Sequence, residues 1–205
     1  MSKMAKCVGW LVIVCCLLIA GGQALAGQMI LGNRIPRDYF ITVGTGESDV
    51  GVHTGSYDAA LQMAGIENCN IIAYSSVMPP EARKVERPAK LHHGAVMETI
   101  MADMSGNQGE LITAGLITWK VYDKKQNKII GGFVAEYHGH AIEETAKDNL
   151  FAAQKGMNAR RGYGKDHYEI KDTVVIVKSL VPKKEFGTVM VVIGFLNYIY
   201  PVVQK

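Results

Sequence analysis

The arrangement of apolar and polar positions along the chain predicts a succession of strands interrupted by two helices. Tyr39 to Val43, Val96 to Met101, Leu111 to Val121, Ile129 to Tyr137, Thr173 to Val177 and Thr188 to Phe195 read as strands. The polar turn Asp123 to Asn127 joins two of them. Cys69 to Ser75 is apolar on both faces and predicts a central strand covered on both sides, ended by Pro79-Pro80, since proline cannot donate to a sheet ladder. Ser56 is placed to cap a helix over Tyr57 to Ala64, with Asp58 in its first turn and Gly65 as its stop. A second helix is predicted over Ala141 to Arg161. Ile142, Ala146, Leu150, Ala153 and Met157 recur there at helical spacing, Glu143 and Glu144 lie in the first turn, and Arg160 and Arg161 precede Gly162. Many strands with two amphipathic helices predict an α+β fold in which sheets pack together and helices cover them.

The stretch Gly44-Thr45-Gly46-Glu47-Ser48-Asp49 resembles a phosphate cradle, but a third glycine is missing and no Gly-Lys-Ser/Thr follows. A tight functional turn is the expectation there, not a nucleotide site. The first residues form a region of their own. Lys3 and Lys6 precede the uncharged run Cys7 to Ala20, and Ala24-Leu25-Ala26 stands before Gly27. This is the pattern of a signal peptide over residues 1–26, followed by one domain over 27–205. The run is short of the roughly 20 residues of a membrane span, so no stable membrane partner is expected. A lipoprotein signal is disfavoured by Val14 before Cys15. The other reading takes Met29 as the true start. The first places the protein in the periplasm or outside the cell, the second in the cytoplasm.

The 205 residues are 48% hydrophobic and 20% charged, enough apolar material for one compact domain. The formal charge of +3 falls to +1 without the leader's two lysines. No cationic face for nucleic acid is implied. Three of the four cysteines lie in the leader. Cys69 alone remains, in an apolar run where a buried thiol is the expectation, and no intrachain disulfide can form.

The segment with chemical content is Asn70-Ile71-Ile72-Ala73-Tyr74-Ser75-Ser76-Val77-Met78-Pro79-Pro80-Glu81. Adjacent serines are ordinarily solvated loop residues, but these end an apolar strand and are pinned by two prolines. A hydroxyl held against the preceding carbonyl can attack it, because fixed geometry can supply roughly 7–11 kcal/mol of an activation barrier. Elimination from the ester so formed, and hydrolysis of the product, would leave a pyruvoyl group where Ser76 was.

This run resembles the self-cleavage region of the pyruvoyl-dependent arginine decarboxylases. The likeness extends through Gly46-Glu47-Ser48, Tyr57-Asp58-Ala59-Ala60-Leu61, Gly65-Ile66-Glu67-Asn68, Gly94-Ala95-Val96 and Ala135-Glu136-Tyr137. His93-Gly94-Ala95-Val96 and Gly194-Phe195-Leu196-Asn197 are similar to the chlamydial branch. The resemblance implies a four-layer αββα sandwich, assembled as a trimer or a dimer of trimers with active sites between subunits. It implies a cut between Ser75 and Ser76 that gives a β chain (27–75) and an α chain (76–205) beginning with the pyruvoyl group. It further implies conversion of L-arginine to agmatine and carbon dioxide on that covalent cofactor, with no metal and no pyridoxal phosphate.

Four more positions gain meaning from it. By period-two alternation Asn70 shares a face with Ile72, Tyr74 and Ser76, and its family position implies a role near the pyruvoyl carbonyl. Asp58 is explained by the helix dipole alone, yet the resemblance implies that it receives the substrate guanidinium with apolar packing from Leu61. Glu136 shares a face with Ile130 and Val134, so burial among apolar groups should raise its pKa and fit it to protonate the substrate carbon. An edge-strand glutamate facing water is the alternative. His92-His93 and His138-Gly139-His140 invite a metal reading, but no Cys or acidic cluster completes a site. Two other functions stand beside the first: a decarboxylase of another amino acid such as histidine, and an uncleaved, exported arginine-binding protein of the same fold.

Overall fold

A computed structural model describes residues 31–50 and 52–203. The leader and both start sites considered above lie outside the described residues. Residues 34–199 form one compact unit. Apart from it, a short pairing joins Leu31 with Val202, and the Gly32 N–H donates to the Pro201 carbonyl.

The fold is α+β. In chain order come β1 (Ile35–Pro36), β2 (Asp38–Ser48), α1 (His53–Ala64), β3 (Asn70–Ala73), β4 (Val77–Met78), β5 (Arg83–Lys84), β6 (Val96–Asn107) and β7 (Ile112–Asp123). β8 (Lys128–Gly139), α2 (Glu143–Arg160), β9 (Tyr168–Leu180), β10 (Phe186–Phe195) and β11 (Tyr198–Ile199) complete it. One sheet has the order β3-β6-β10-β2-β5, a second has β4-β8-β7-β9, and β1 pairs with β11. Among the described residues no helix is long and apolar enough to cross a membrane.

Side-chain alternation sorts the core into three clusters. On β10, Val189, Val191 and Ile193 join Ile100 and Ala102 of β6 and Ile112, Ala114 and Leu116 of β7 between the sheets. The intervening Met190 and Val192 face α1, where Phe40, Ala60, Leu61 and Ala64 close a second cluster. Ile117, Trp119 and Val121 of β7 point the other way, to Leu150 of α2. There Trp119 Nε1 donates to Asn158 Oδ1 at 2.9 Å within the core, as a buried indole requires.

The strands outrun their predicted bounds, and three expectations are corrected. The glycine-bearing stretch after Val43 is no turn: β2 continues to Ser48. A Cβ on Gly44 or Gly46 would collide with the carbonyls of Ala60 or Ser56, so these glycines let α1 lie close on the sheet. Ser56 does not cap α1, which begins at His53. Its Oγ donates to the His53 carbonyl and meets Thr188 Oγ1 at 2.8 Å inside the fold. The apolar run from Cys69 is not a covered central strand. β3 is four residues at a sheet edge, and Ile72 is 47% exposed. Gly65, at φ +71°, ends α1 as predicted, while α2 starts at Glu143 with Ile142 exposed before it.

Candidate active site

The Ser75–Ser76 peptide lies where the chain leaves one sheet for the other. β3 runs parallel to β6 up to the pair Ala73 and Thr99, and the Tyr74 N–H donates to the Thr99 carbonyl at 2.6 Å. The Tyr74 ring packs on Phe195, centroids 5.9 Å apart. Beyond the serines, Val77 and Met78 lie opposite Phe133 and Gly132 of β8, in the other sheet. The Val134 N–H donates to the Ser76 carbonyl at 3.0 Å. Thus Tyr74 is fixed to one sheet and Ser76 to the other. The crossover itself is a tight turn, with the Val77 N–H donating back to the Ser75 carbonyl at 2.9 Å. Ser76 therefore does not continue the face of Asn70, Ile72 and Tyr74, because strand alternation stops at Ala73. Downstream, Arg83 binds Asp38 through both carboxylate oxygens, one at 3.1 Å, and Asn197 Nδ2 donates to the same carboxylate at 2.8 Å. The Arg83 and Asn197 bonds hold the Asp38 pKa at about 2.

Glu136 meets this crossover from β8. Its half-buried carboxylate accepts a long hydrogen bond from Ser76 Oγ at 3.4 Å. Burial raises its pKa, against smaller lowering effects of the Ser76 hydroxyl and of His138. A carboxyl group so placed keeps its proton to higher pH than an exposed glutamate and can deliver it to an atom beside Ser76. The expected neighbours need one correction. Val134 belongs to the cluster between the sheets, but Ile130 packs in the α2 cluster on the other side. The register of β8 against β7 shifts between Ile129 and Gly131, leaving Ile130 as an extra residue. A bulge of this kind inverts the alternation, and Gly131 at φ +151° supplies the backbone it needs.

Within one chain, the other proposed site residues stand apart from this group. Asn70 opens β3, at the end away from the serines, and its amide donates to the Gly94 carbonyl at 3.0 Å. Asp58 is exposed in the second turn of α1, not the first, so the dipole no longer accounts for it. Among the described residues it has no hydrogen bond or ion pair. Leu61 is turned into the core. Cys69 is half-buried against the same core, and burial raises its pKa. His93 Nδ1 bonds Asn68 Oδ1, and His140 Nδ1 the Leu111 carbonyl. The described residues hold no group of three or more His, Cys, Asp or Glu fit for a metal. Sequence reasoning missed the Val77 and Val134 amides and the Asp38–Arg83 clamp: backbone donors carry no residue identity, and Asp38 and Arg83 are 45 positions apart.

A serine pair strung between two sheets, with a protonatable carboxyl at the second hydroxyl, defines a site built around one peptide bond. The sequence model of the pyruvoyl-dependent arginine decarboxylases matches residues 38–200, and the chain belongs to that family. Over 193 residues it is 33% identical to the pyruvoyl-dependent arginine decarboxylases AaxB of Chlamydia abortus and of Chlamydia muridarum, covering 83% of this chain and 95% of each relative. Methanosarcina mazei has a pyruvoyl-dependent arginine decarboxylase 2 to which the chain is 33% identical over 116 residues, 54% of this chain and 59% of that protein.

Proposed function

We propose that this protein is a carboxy-lyase that converts L-arginine to agmatine and carbon dioxide, after cutting itself between Ser75 and Ser76. The observation that carries the reading is the crossover: the Ser75–Ser76 bond spans two sheets, and Ser76 Oγ lies 3.4 Å from Glu136 Oε1. The group at position 76 fits this place, since a ketone derived from Ser76 would stand on the same backbone, beside the same carboxyl. When formed, that pyruvoyl group supplies the electron sink for loss of carbon dioxide. The chain supplies the rest. Glu136, its pKa raised by burial, delivers its proton to the substrate α-carbon once carbon dioxide has left. Tyr74 and Val134 hold the two sides of position 76 in their respective sheets.

We assign the substrate guanidinium to Asp58, whose free carboxylate offers two oxygens to a planar cation. Leu61, three residues on and facing inward, supports that turn of α1. Asn70 is assigned to the pyruvoyl carbonyl. Since these lie apart from Ser76 in one chain, the site in this proposal is completed between copies in a trimer or dimer of trimers. The edge of β3, unpaired among the described residues, and its exposed Ile72 support that assembly. The three core clusters likewise support reading the layers as an αββα sandwich.

A denaturing gel with mass spectrometry and an amine-release assay tests the proposal. The purified protein should give a fragment ending at Ser75 and one with a blocked amino terminus, and should release agmatine from arginine in preference to amines from histidine or other amino acids. Ser76→Ala should remain whole, folded and inactive. An uncleaved wild-type protein that binds arginine would instead favour a binding function.

A further inference from the structure

We infer that the backbone N–H of Val77 is the oxyanion donor of the self-cleavage step, an inference that rests on the cut between Ser75 and Ser76 proposed above. The N–H points at the atom where charge would develop: it donates to the Ser75 carbonyl oxygen at 2.9 Å, closing a turn around Ser76. The sheet leaves this N–H free for the task. Val77 lies opposite Phe133, and the bond from Val134 N–H reaches the Ser76 carbonyl, one residue earlier. That is the pattern of a pair whose own amides take no part in the antiparallel ladder. The ladder thus fixes the residue while its N–H faces the crossover. The same turn carries the nucleophile, as Ser76, which bears Oγ, is the central residue of the three that the hydrogen bond spans.

In the step, Ser76 Oγ forms a bond to the Ser75 carbonyl carbon and gives up its proton. The carbonyl π pair moves onto the Ser75 oxygen, where the Val77 N–H meets it. Collapse restores the carbonyl and breaks the Ser75 C–Ser76 N bond, and the proton ends on the Ser76 nitrogen, giving an ester and a free amine. Loss of the Ser76 Cα proton then expels the Ser75 carboxylate as the Cβ–Oγ bond breaks. The enamine left at position 76 tautomerises to an imine, and water hydrolyses it to the ketone and ammonia. No oxidant or reductant enters. A donor already in place on the carbonyl needs no reorganisation as charge develops, and loss of one such donor typically costs about 10²–10³ in rate.

The test replaces Val77 by its α-hydroxy acid analogue in cell-free translation, which turns the Ser76–Val77 amide into an ester and keeps the side chain. Fragment appearance is then followed on denaturing gels, with Val77→Ala, which retains the N–H, as the control. The ester variant should cleave about 10²–10³ times more slowly while Val77→Ala keeps the wild-type rate, and the two precursors should melt together. Should the ester variant not fold, Val77→Pro removes the same N–H at a position that makes no ladder bond, and the same slowing is expected. Cleavage of a folded N–H-less variant at the wild-type rate, beside a wild-type protein that does cleave, overturns the oxyanion assignment alone. A wild-type chain that stays whole overturns the self-cleavage reading and this inference with it.

Discussion

β10 and β3 belong to the same sheet and have similar apolar sequences, but they meet opposite surroundings. From Gly187 to Phe195 every residue of β10 is buried, between β6 and β2 and with cover on both faces. Among the described residues β3 has one neighbour, β6, and none of its residues is fully buried. An apolar run says that a surface is to be covered, and leaves open by what. For β10 the cover is the chain's own helix and second sheet; for β3, in the assembly proposed here, it is another copy. The difference divides the labour as well: β10 holds the fold together, and β3 delivers the chain to the crossover.

If that division is right, changes at the crossover should remove chemistry without stability, and changes in β10 the reverse. The largest effect should come from Glu136→Gln, which keeps size and hydrogen bonding but has no transferable proton. Cleavage should survive while arginine turnover falls by about 10²–10⁴, read as agmatine release per pyruvoyl. In the wild-type enzyme kcat should fall as pH rises through the Glu136 pKa, which burial places above the value of a free glutamate. For stability the sign is the same: protonation of Glu136 favours the folded state, so its contribution is complete at low pH and is lost as pH rises through that pKa.

Next in size is Ile193→Ala in β10, fully buried between the sheets. It should cost about 2–5 kcal/mol in denaturant unfolding while the folded fraction still cuts itself. Ile72→Ala in β3 should cost the isolated chain no more than about 0.5 kcal/mol, yet weaken the oligomer on sedimentation. Equal losses from the two substitutions would erase the contrast. The smallest effect concerns Asp38, bound by Arg83 and Asn197. Its depressed pKa adds stability that is present above the ordinary value of 3.8 and lost as pH falls toward about 2. Asp38→Asn should flatten the acid limb of a stability profile in that window and leave the profile near neutrality parallel to the wild type.

Much of the fold could be read in advance wherever one surface decides the pattern. β7, β8 and β10 carry long apolar runs, and α2 has a helical stripe with Glu143 and Glu144 at its start and Arg160 in its last turn. The misreadings came where a distant contact decided. Gly44 and Gly46 look like turn residues until α1 is laid across them; Ser56 looks like a cap until Thr188 appears beside it. Ile130 changed sides because a one-residue bulge carries no strong local signature. For the site, Ser75 and Ser76 stand out as a hydroxyl pair pinned by Pro79-Pro80 and Glu136 as a carboxylate on an apolar strand, the family resemblance adding their roles, and the structure brings Ser76 and Glu136 together. The amides of Val77 and Val134 could not be foreseen, since every residue but proline offers the same N–H.

The order β3-β6-β10-β2-β5 has a consequence for the self-cleavage proposed above. Strands from before the cut, β3 and β2, are interleaved with β6, β10 and β5 from after it, and the Asp38–Arg83 clamp ties one piece to the other. Were the Ser75–Ser76 bond cut, the pieces could not separate without dismantling a sheet. Unfolding then releases two molecules where the precursor releases one, so the midpoint of the mature form should rise with protein concentration while that of the Ser76→Ala precursor, at fixed oligomeric state, is less sensitive. Self-cleavage would therefore change the molecularity of folding: a chain that assembles by itself would become a pair that, once parted, must find each other again.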